Sequence, residues 1–297
     1  ADLGLRQVIN YSFISGKKLQ QYRLDVSGQD LVKIINPINE DFQYLRPSLF
    51  PALMGNLMQN LKYRIEDMAL FEISKVFTQR KDSKLPEERN ILGVVLSGRQ
   101  QDKGWNQQER AYDFYDLKGI LEYLAERYFN SSIIEIKGKE IGFFHPVLGG
   151  TWSLEGQDMG MLGQVHPGLL AELEIEQPVY YLEIDLDLFL AKSPKARQFE
   201  PVTLYPAVDI DIAIVVDQSV THQELRQAIE ESGSGILQQV RLFDLYQGKQ
   251  VEAGKKSMAY SLTFKRKDRT LKDTEVEVEV ERILSCLAKK FNATLRQ

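Results

Sequence analysis

The sequence predicts an α+β protein of two domains: a mainly antiparallel sheet with helices set irregularly among its strands, then a smaller βαββαβ unit. Three observations predict it. Residues 191–201, AKSPKARQFEP, interrupt the apolar patterning with two prolines and a group of charges, as a linker does, and place the domains at 1–197 and 198–297. Before the linker, apolar runs at 7–14, 68–77, 90–96 and 179–189 read as strands and the amphipathic stretches 48–63 and 116–129 as helices. Their order is not a strict βαβα alternation, which argues for a mainly antiparallel sheet. After the linker, strand and helix periods succeed one another as strand, helix, strand, strand, helix, strand.

In that last unit Val208, Ile210, Ile212, Ile214 and Val216 alternate with Asp209, Asp211, Ala213 and Val215, the period of a half-buried strand. Thr221 and Glu224 form a capping-box pair that opens a helix to about residue 231, where Gly233 and Gly235 stop it. Strands follow at 236–246 and 257–265. The run EVEVEV at 275–280 alternates like a strand. However, Val276, Val280, Ile283, Leu284, Leu287 and Phe291 fall at helical spacing and Asp273 or Thr274 offers a cap, so the sequence predicts a helix to about residue 292 and a short strand at 294–296. Two helices on one face of an antiparallel sheet make a ferredoxin-like arrangement. On its third strand Met258, Tyr260, Leu262 and Phe264 share the face that buries against the helices, while Ser257, Ala259, Ser261 and Thr263 share the other.

With 297 residues, 43% of them hydrophobic and 27% charged, the chain has the makeup of a soluble globular protein. No window approaches ~18 uninterrupted apolar residues and the first residues lack the layout of a signal peptide, so membrane and secretory readings fall away. A single cysteine, Cys286, excludes an internal disulfide framework and a multi-cysteine metal site, and a reducing cytoplasm is the expected compartment. The chain opens on Ala1 inside an apparent structured segment, the expectation for a fragment of something longer.

Self-contained catalysis is not visible. His145 and His166 each precede a proline, His222 lies in a helix's first turn, and no pair has the spacing of a metal-binding helix. Phosphate-cradling glycine motifs are absent. Gly149 and Gly150 read as the start of a strand through Trp152, and Asp185 and Asp187, alternating with Leu186 and Leu188, read as a solvated strand face. Cys286 reads as core filler, with nothing basic nearby to activate it.

Binding is more legible. Between residues 249 and 272 the chain sets Lys249, Lys255, Lys256, Lys265, Arg266, Lys267, Arg269 and Lys272 against only Glu252 and Asp268, a local net of +6 in a chain of net charge −5. Such an island is a footprint for a polyanion, or equally a solvated hairpin kept basic for solubility. Tyr246, at a strand end beside Gly248, is a candidate to stack on a base or to pack its own turn. Ser257 and Ser261 are candidates to meet base edges, or small residues that permit close packing.

Four segments of the last hundred residues, YPAVDIDIAI (205–214), LFDLYQG (242–248), GKKSMAYSLTF (254–264) and RTLKDTEV (269–276), resemble in order and spacing the ferredoxin-fold anticodon-binding domain of the bacterial phenylalanyl-tRNA synthetase β subunit. Upstream, NPINEDFQYLRPSLFPALMGNLMQN (36–60), LFEISKVF (70–77), YDFYDLKG (112–119), His145-Pro146 and LGQVHPGLL (162–170) resemble the class II synthetase-like core of the same subunit. The resemblance spans nearly the whole chain. It implies a synthetase of two α and two β subunits, in which α activates phenylalanine with ATP and Mg2+. The β core is then a catalytic-like module without activity that packs on α, and the final domain binds the anticodon of tRNA-Phe. No cofactor is implied for this fragment, and the editing module lies outside the matched region.

The RNA-binding candidates are therefore Tyr246, Lys249, Lys255, Lys256, Ser257, Ser261, Lys265, Lys267 and Arg269. Asn36, Arg46, Asp116 and Lys118 are candidates for the α-subunit interface, with Arg46 and Asp116 alternatively in ion pairs internal to the core. Two departures stand out: Ile210-Asp211 replaces the family's Arg-Asp pair, and Ser74 replaces a common glycine. A contact made through that arginine is not carried over. The alternative reading is a free-standing, non-enzymatic protein that keeps a synthetase-like domain for ligand sensing.

Overall fold

A strand that is apolar on both faces needs cover above and below, and the first half of the chain provides it with helices. The computed structural model describes residues 3–24, 31–80, 83, 85–129, 134–192, 204–248 and 251–296, and it divides into two compact units, Ala1–Arg197 and Gln198–Gln297. The first unit runs β1 (Arg6–Gln7), β2 (Phe13–Ile14), α1 (Gly16–Gln21), β3 (Tyr44–Leu45), α2 (Phe50–Lys62), β4 (Met68–Thr78), β5 (Glu87–Ser97), β6 (Arg99–Gln101) and β7 (Arg110–Ala111). It continues with α3 (Phe114–Phe129), β8 (Ile134–Gly138), β9 (Phe144–Leu154), β10 (Gln157–Val165), α4 (Pro167–Glu172), β11 (Val179–Asp185) and α5 (Leu186–Ala191). Seven of these strands form one sheet in the order β1-β4-β5-β11-β10-β9-β8. Only β1 and β4 pair in parallel; the other neighbours are antiparallel.

Central β11 is buried at every position. On one face α2 sets Leu53, Met54 and Leu57 against Val95, Val179 and Tyr181; on the other, α3 sets Leu117, Leu121 and Ala125 against Val94, Trp152 and Leu182. α2 begins at Phe50-Pro51, where proline's missing N–H is no loss. Gly93 of β5 lies under it, and a Cβ there would meet the Leu53 side chain at 2.8 Å. Within β9 and β10 the strands approach too closely for side chains: a Cβ on Gly150 would collide with the Lys137 carbonyl, and one on Gly160 with the Glu183 carbonyl.

The second unit runs β12 (Val208–Asp217), α6 (His222–Ser232), β13 (Leu237–Tyr246), β14 (Lys255–Phe264), α7 (Asp273–Phe291) and β15 (Thr294–Leu295). Its sheet has the order β13-β14-β12-β15 and every pairing is antiparallel. The ferredoxin-like order expected from the sequence is thus present. The Thr221–Glu224 box closes as read: the Glu224 amide donates to Thr221 Oγ1 at 3.2 Å and the Thr221 amide to Glu224 Oε2 at 2.8 Å. Met258, Tyr260, Leu262 and Phe264 pack with Leu225, Ile229, Ile283 and Leu287. Tyr260 Oη meets His222 Nδ1 at 3.0 Å, and burial holds the phenol above its ordinary range.

Several boundaries differ from the sequence reading. The stretch 179–189 is a strand only to Asp185, whose Oδ1 then caps α5 by accepting from the Leu188 amide at 3.1 Å. Asp185 is buried rather than on a solvated strand face, and Asp187 Oδ2 accepts from the Asn90 amide at 2.7 Å. The 7–14 run splits into β1 and β2, which pair with different partners. Gly149 and Gly150 sit inside β9, not at its start. Among the described residues no helix is long and apolar enough to cross a membrane.

Candidate nucleic-acid interface

Alternation along the strands leaves the sheet face opposite α6 and α7 to Asp209, Asp211, Ala213 and Val215 of β12 and to Ser257, Ala259, Ser261 and Thr263 of β14. β13 adds Arg241, Asp244 and Tyr246, opposite Ser261, Ala259 and Ser257. A strict period of two would pair Arg241 with 243 and 245. The irregularity between Leu242 and Asp244 shifts the phase and turns Asp244 and Tyr246 onto this face instead.

Arg296 completes the arrangement. Its amide donates to the Ala213 carbonyl at 2.9 Å, next to β15, and its guanidinium stands 4.9 Å from the centre of the Tyr246 ring. Because β13 and β15 are the two outer strands, this side chain reaches across β12 and β14, and a cation over an aromatic face is attractive. Ser257, opposite Tyr246, is only 3% exposed, whereas Ser261 is half-buried. Ser257 therefore meets a ligand only when the cover above it moves. Thr263 Oγ1 donates to Asp209 Oδ1 at 2.6 Å.

The basic island that is continuous in sequence is divided in space. Lys255 and Lys256 begin β14, near Tyr246, while Lys265, Arg266, Lys267 and Arg269 follow its other end, roughly 30 Å away for a strand of this length. The far group is partly neutralised. Arg269 donates through both terminal nitrogens to Glu275, at 2.7 and 2.6 Å, and Arg266 stands 3.8 Å from the same carboxylate. Lys265 is half-buried and Lys267 exposed. Lys255 pairs with Glu252 at 2.6 Å, and Lys249 lies outside the described residues.

Hydrogen bonds from the Arg269 side chain and the Lys272 amide pull the Glu275 carboxyl down to about 2. A lowered carboxyl stabilises the fold above its unfolded value and loses that contribution on acidification. The clamp at the start of α7 is therefore expected to hold above the ordinary 4.5 and to open as pH falls toward about 2. An NMR titration of the Glu275 carboxyl carbon checks this; a midpoint near 4.5 would show that the clamp is not formed in solution.

The interface candidates of the first unit are not one site. Arg46 is 1% exposed, and its Nη2 stands 2.9 Å from Glu72 Oε1, with both side chains buried. Its Nε donates to the Lys75 carbonyl at 3.2 Å and Nη1 to the Tyr11 carbonyl at 3.5 Å. Asp116 takes a two-pronged pair from Arg110 at 2.8 and 2.6 Å; burial opposes ionisation there, but these bonds outweigh it and lower the carboxyl. Lys118 pairs with Glu122 at 3.1 Å. Asp116 and Lys118 lie on α3, across the sheet from α2, so they do not join Arg46. Asn36 is exposed, in a hairpin where Ile35 and Ile38 are 93% and 91% exposed, and Tyr11 and Phe13 contact Phe42 of the same hairpin edge-on. Sequence reasoning missed this apolar hairpin, although two isoleucines flanking Asn36-Pro37 were a readable signal. It also missed Arg296, for which the sequence carries no signal.

Comparison with known proteins agrees with this layout. Residues 1–186 match the family described as phenylalanyl tRNA synthetase beta chain CLM domain, and residues 203–296 match the ferredoxin-fold anticodon binding domain. The chain is 34% identical over 295 residues to the phenylalanine–tRNA ligase beta subunit of Syntrophotalea carbinolica, 35% over 293 to that of Geobacillus kaustophilus and 34% over 294 to that of Bacillus subtilis. Each alignment takes in 99% of this chain but only 37%, 36% and 36% of the relative. It thus spans a little over a third of the length of the curated relatives it matches. With both of its units matched in order and 99% of its length aligned to beta subunits, the chain belongs to the phenylalanyl-tRNA synthetase beta-chain family.

Proposed function

We propose that the second unit docks the anticodon of tRNA-Phe on the open face of its sheet, and that the first unit packs without catalysis against the α subunit. Together they support ATP-dependent attachment of phenylalanine to tRNA in a cytoplasmic assembly of two α and two β subunits. The observation that carries the reading is the Tyr246–Arg296 pair with Lys255 near it on the same face. It offers an aromatic face for a base and cations for the flanking phosphates. Asp244 and Ser261 flank it as partners for base edges.

ATP and Mg2+ are assigned to the α subunit. In a cavity of the first unit of about 530 Å3, the two buried carboxylates are already engaged. Asp185 pairs with Arg89 at 3.2 Å, and buried Glu183 accepts from Ser48 at 2.8 Å and from Tyr181. Burial raises the Glu183 carboxyl. That buried pair does not fit a resident Mg2+, which favours free carboxylates and water.

For the α-subunit contact, the exposed hairpin with Ile35, Asn36 and Ile38 is the better candidate than Asp116 and Lys118, with Arg46 holding the Tyr11 strap beneath it. Relatives named as synthetase subunits count against the free-standing regulatory alternative.

The test is binding of the chain to tRNA-Phe and to an anticodon-altered copy across a salt series. Preference for the intact anticodon is expected. The slope of log affinity against log salt should flatten by roughly 0.7 to 0.9 for each phosphate contact removed. Alanine at Lys255 should flatten it more than alanine at Lys256, which lies on the helix face. Equal affinity for both RNAs would reject anticodon docking.

A further inference from the structure

Unpaired main-chain groups along a strand edge recruit other strands, and β12 has such an edge. β14 pairs with β12 from Val208 to Asp217. On the other side β15 opposes only Ile214 and Val215, and the Arg296 amide adds one bond to the Ala213 carbonyl. Main-chain groups alternate in direction along a strand, so Asp209 and Asp211 point theirs the same way as Ala213, away from β14. Among the described residues no strand takes them up. The stretch left open among the described residues, Val208 to Ile212, is about 17 Å long.

Beside it lies a groove of about 470 Å3, lined by Val208, Ile210, Val276 and Val280 and rimmed by Glu277 and Glu281. On the opposite face the same edge carries the carboxylates of Asp209 and Asp211. No ion pair joins any of these four acids to a lysine or arginine among the described residues. β15 shows what the edge accepts, because Leu295 pairs beside Ile214 and turns toward Leu284 and Leu287 of α7.

We infer that the free edge of β12 is a docking site for an extended peptide that adds as a strand in line with β15, antiparallel to β12. Its apolar side chains enter the groove, and its alternate, basic side chains meet Asp209 and Asp211. A second copy of this chain is a poor occupant. Edge-to-edge pairing of β12 with itself about Ile210 sets Asp209 against Asp211 twice, and like charges directly opposite are destabilising.

The probe is the labelled peptide KVKVKVK, titrated against the whole chain by fluorescence anisotropy at low salt. Saturable binding is expected, at least tenfold tighter than for KKKKVVV or EVEVEVE. Methylating the backbone nitrogens of the two inner lysines should weaken it at least tenfold, because these amides face the edge. Asp211→Pro should do the same, since it deletes an edge N–H and leaves the β14 ladder intact. Should that variant not fold, the methylated peptide decides on the unaltered chain. Equal binding of KVKVKVK and KKKKVVV, undiminished binding of the methylated peptide, or no binding of KVKVKVK would each overturn the inference.

Discussion

Arg46→Ala is expected to destabilise the first unit by about 3–5 kcal/mol, because it strands the Glu72 carboxylate in a buried site. Both side chains of the pair are only 2% exposed, and among the described residues Glu72 otherwise reaches only Asn10, through Oε2 at 2.8 Å and a longer amide contact at 3.4 Å. Two main-chain contacts from the guanidinium, to Lys75 and Tyr11, vanish with it. For a unit of this size a loss of that order lowers the midpoint by roughly 10 °C. Thermal and urea unfolding of the variant check this. Unchanged stability combined with failed assembly on the α subunit would instead make Arg46 an interface residue. Replacing both partners, Arg46→Met with Glu72→Leu, should recover much of the loss, since an apolar pair leaves no charge to satisfy.

Tyr246→Ala is expected to weaken binding of an anticodon stem-loop by about 1–3 kcal/mol, roughly 5- to 150-fold, the range for removing one stacked base contact. Tyr246→Phe should retain most of the affinity, because the ring rather than the hydroxyl makes the stack. A titration of the chain with fluorescent stem-loop RNA reads both variants. Loss in Tyr246→Phe equal to that in Tyr246→Ala would assign the effect to the hydroxyl and remove the stacking role.

The second unit was legible because its local signals agree. Alternation in 208–216, the Thr221–Glu224 box and the helical stripe hidden beneath EVEVEV all point to one topology, which is the one observed. The site was less legible, because it depends on phase and reach. A single irregularity in β13 decides which face carries Tyr246, and no residue type in LFDLYQG announces it. Arg296 gains its place from β15, a strand of two residues. Charge counted along the chain overstated the basic footprint, since a strand carries its two ends far apart and Glu275 claims two of the arginines. In the first unit LDLFLA reads as a strand by alternation, yet the Asp185 cap turns it into a helix. Arg46 could be read from sequence as an interface residue or as half of an internal ion pair, and its partner, Glu72, is supplied only by tertiary packing.

Gly150 and Gly160 bear on how this sheet tolerates mutational drift. At most packed positions an enlarged residue can be accommodated by trimming a neighbouring side chain. Here the obstacle at each glycine is the carbonyl of the adjacent strand, which every amino acid possesses. No second-site change can remove it, so an alanine at either place has to push whole strands apart. Random libraries of this unit should therefore return glycine at both positions however freely the surrounding side chains vary.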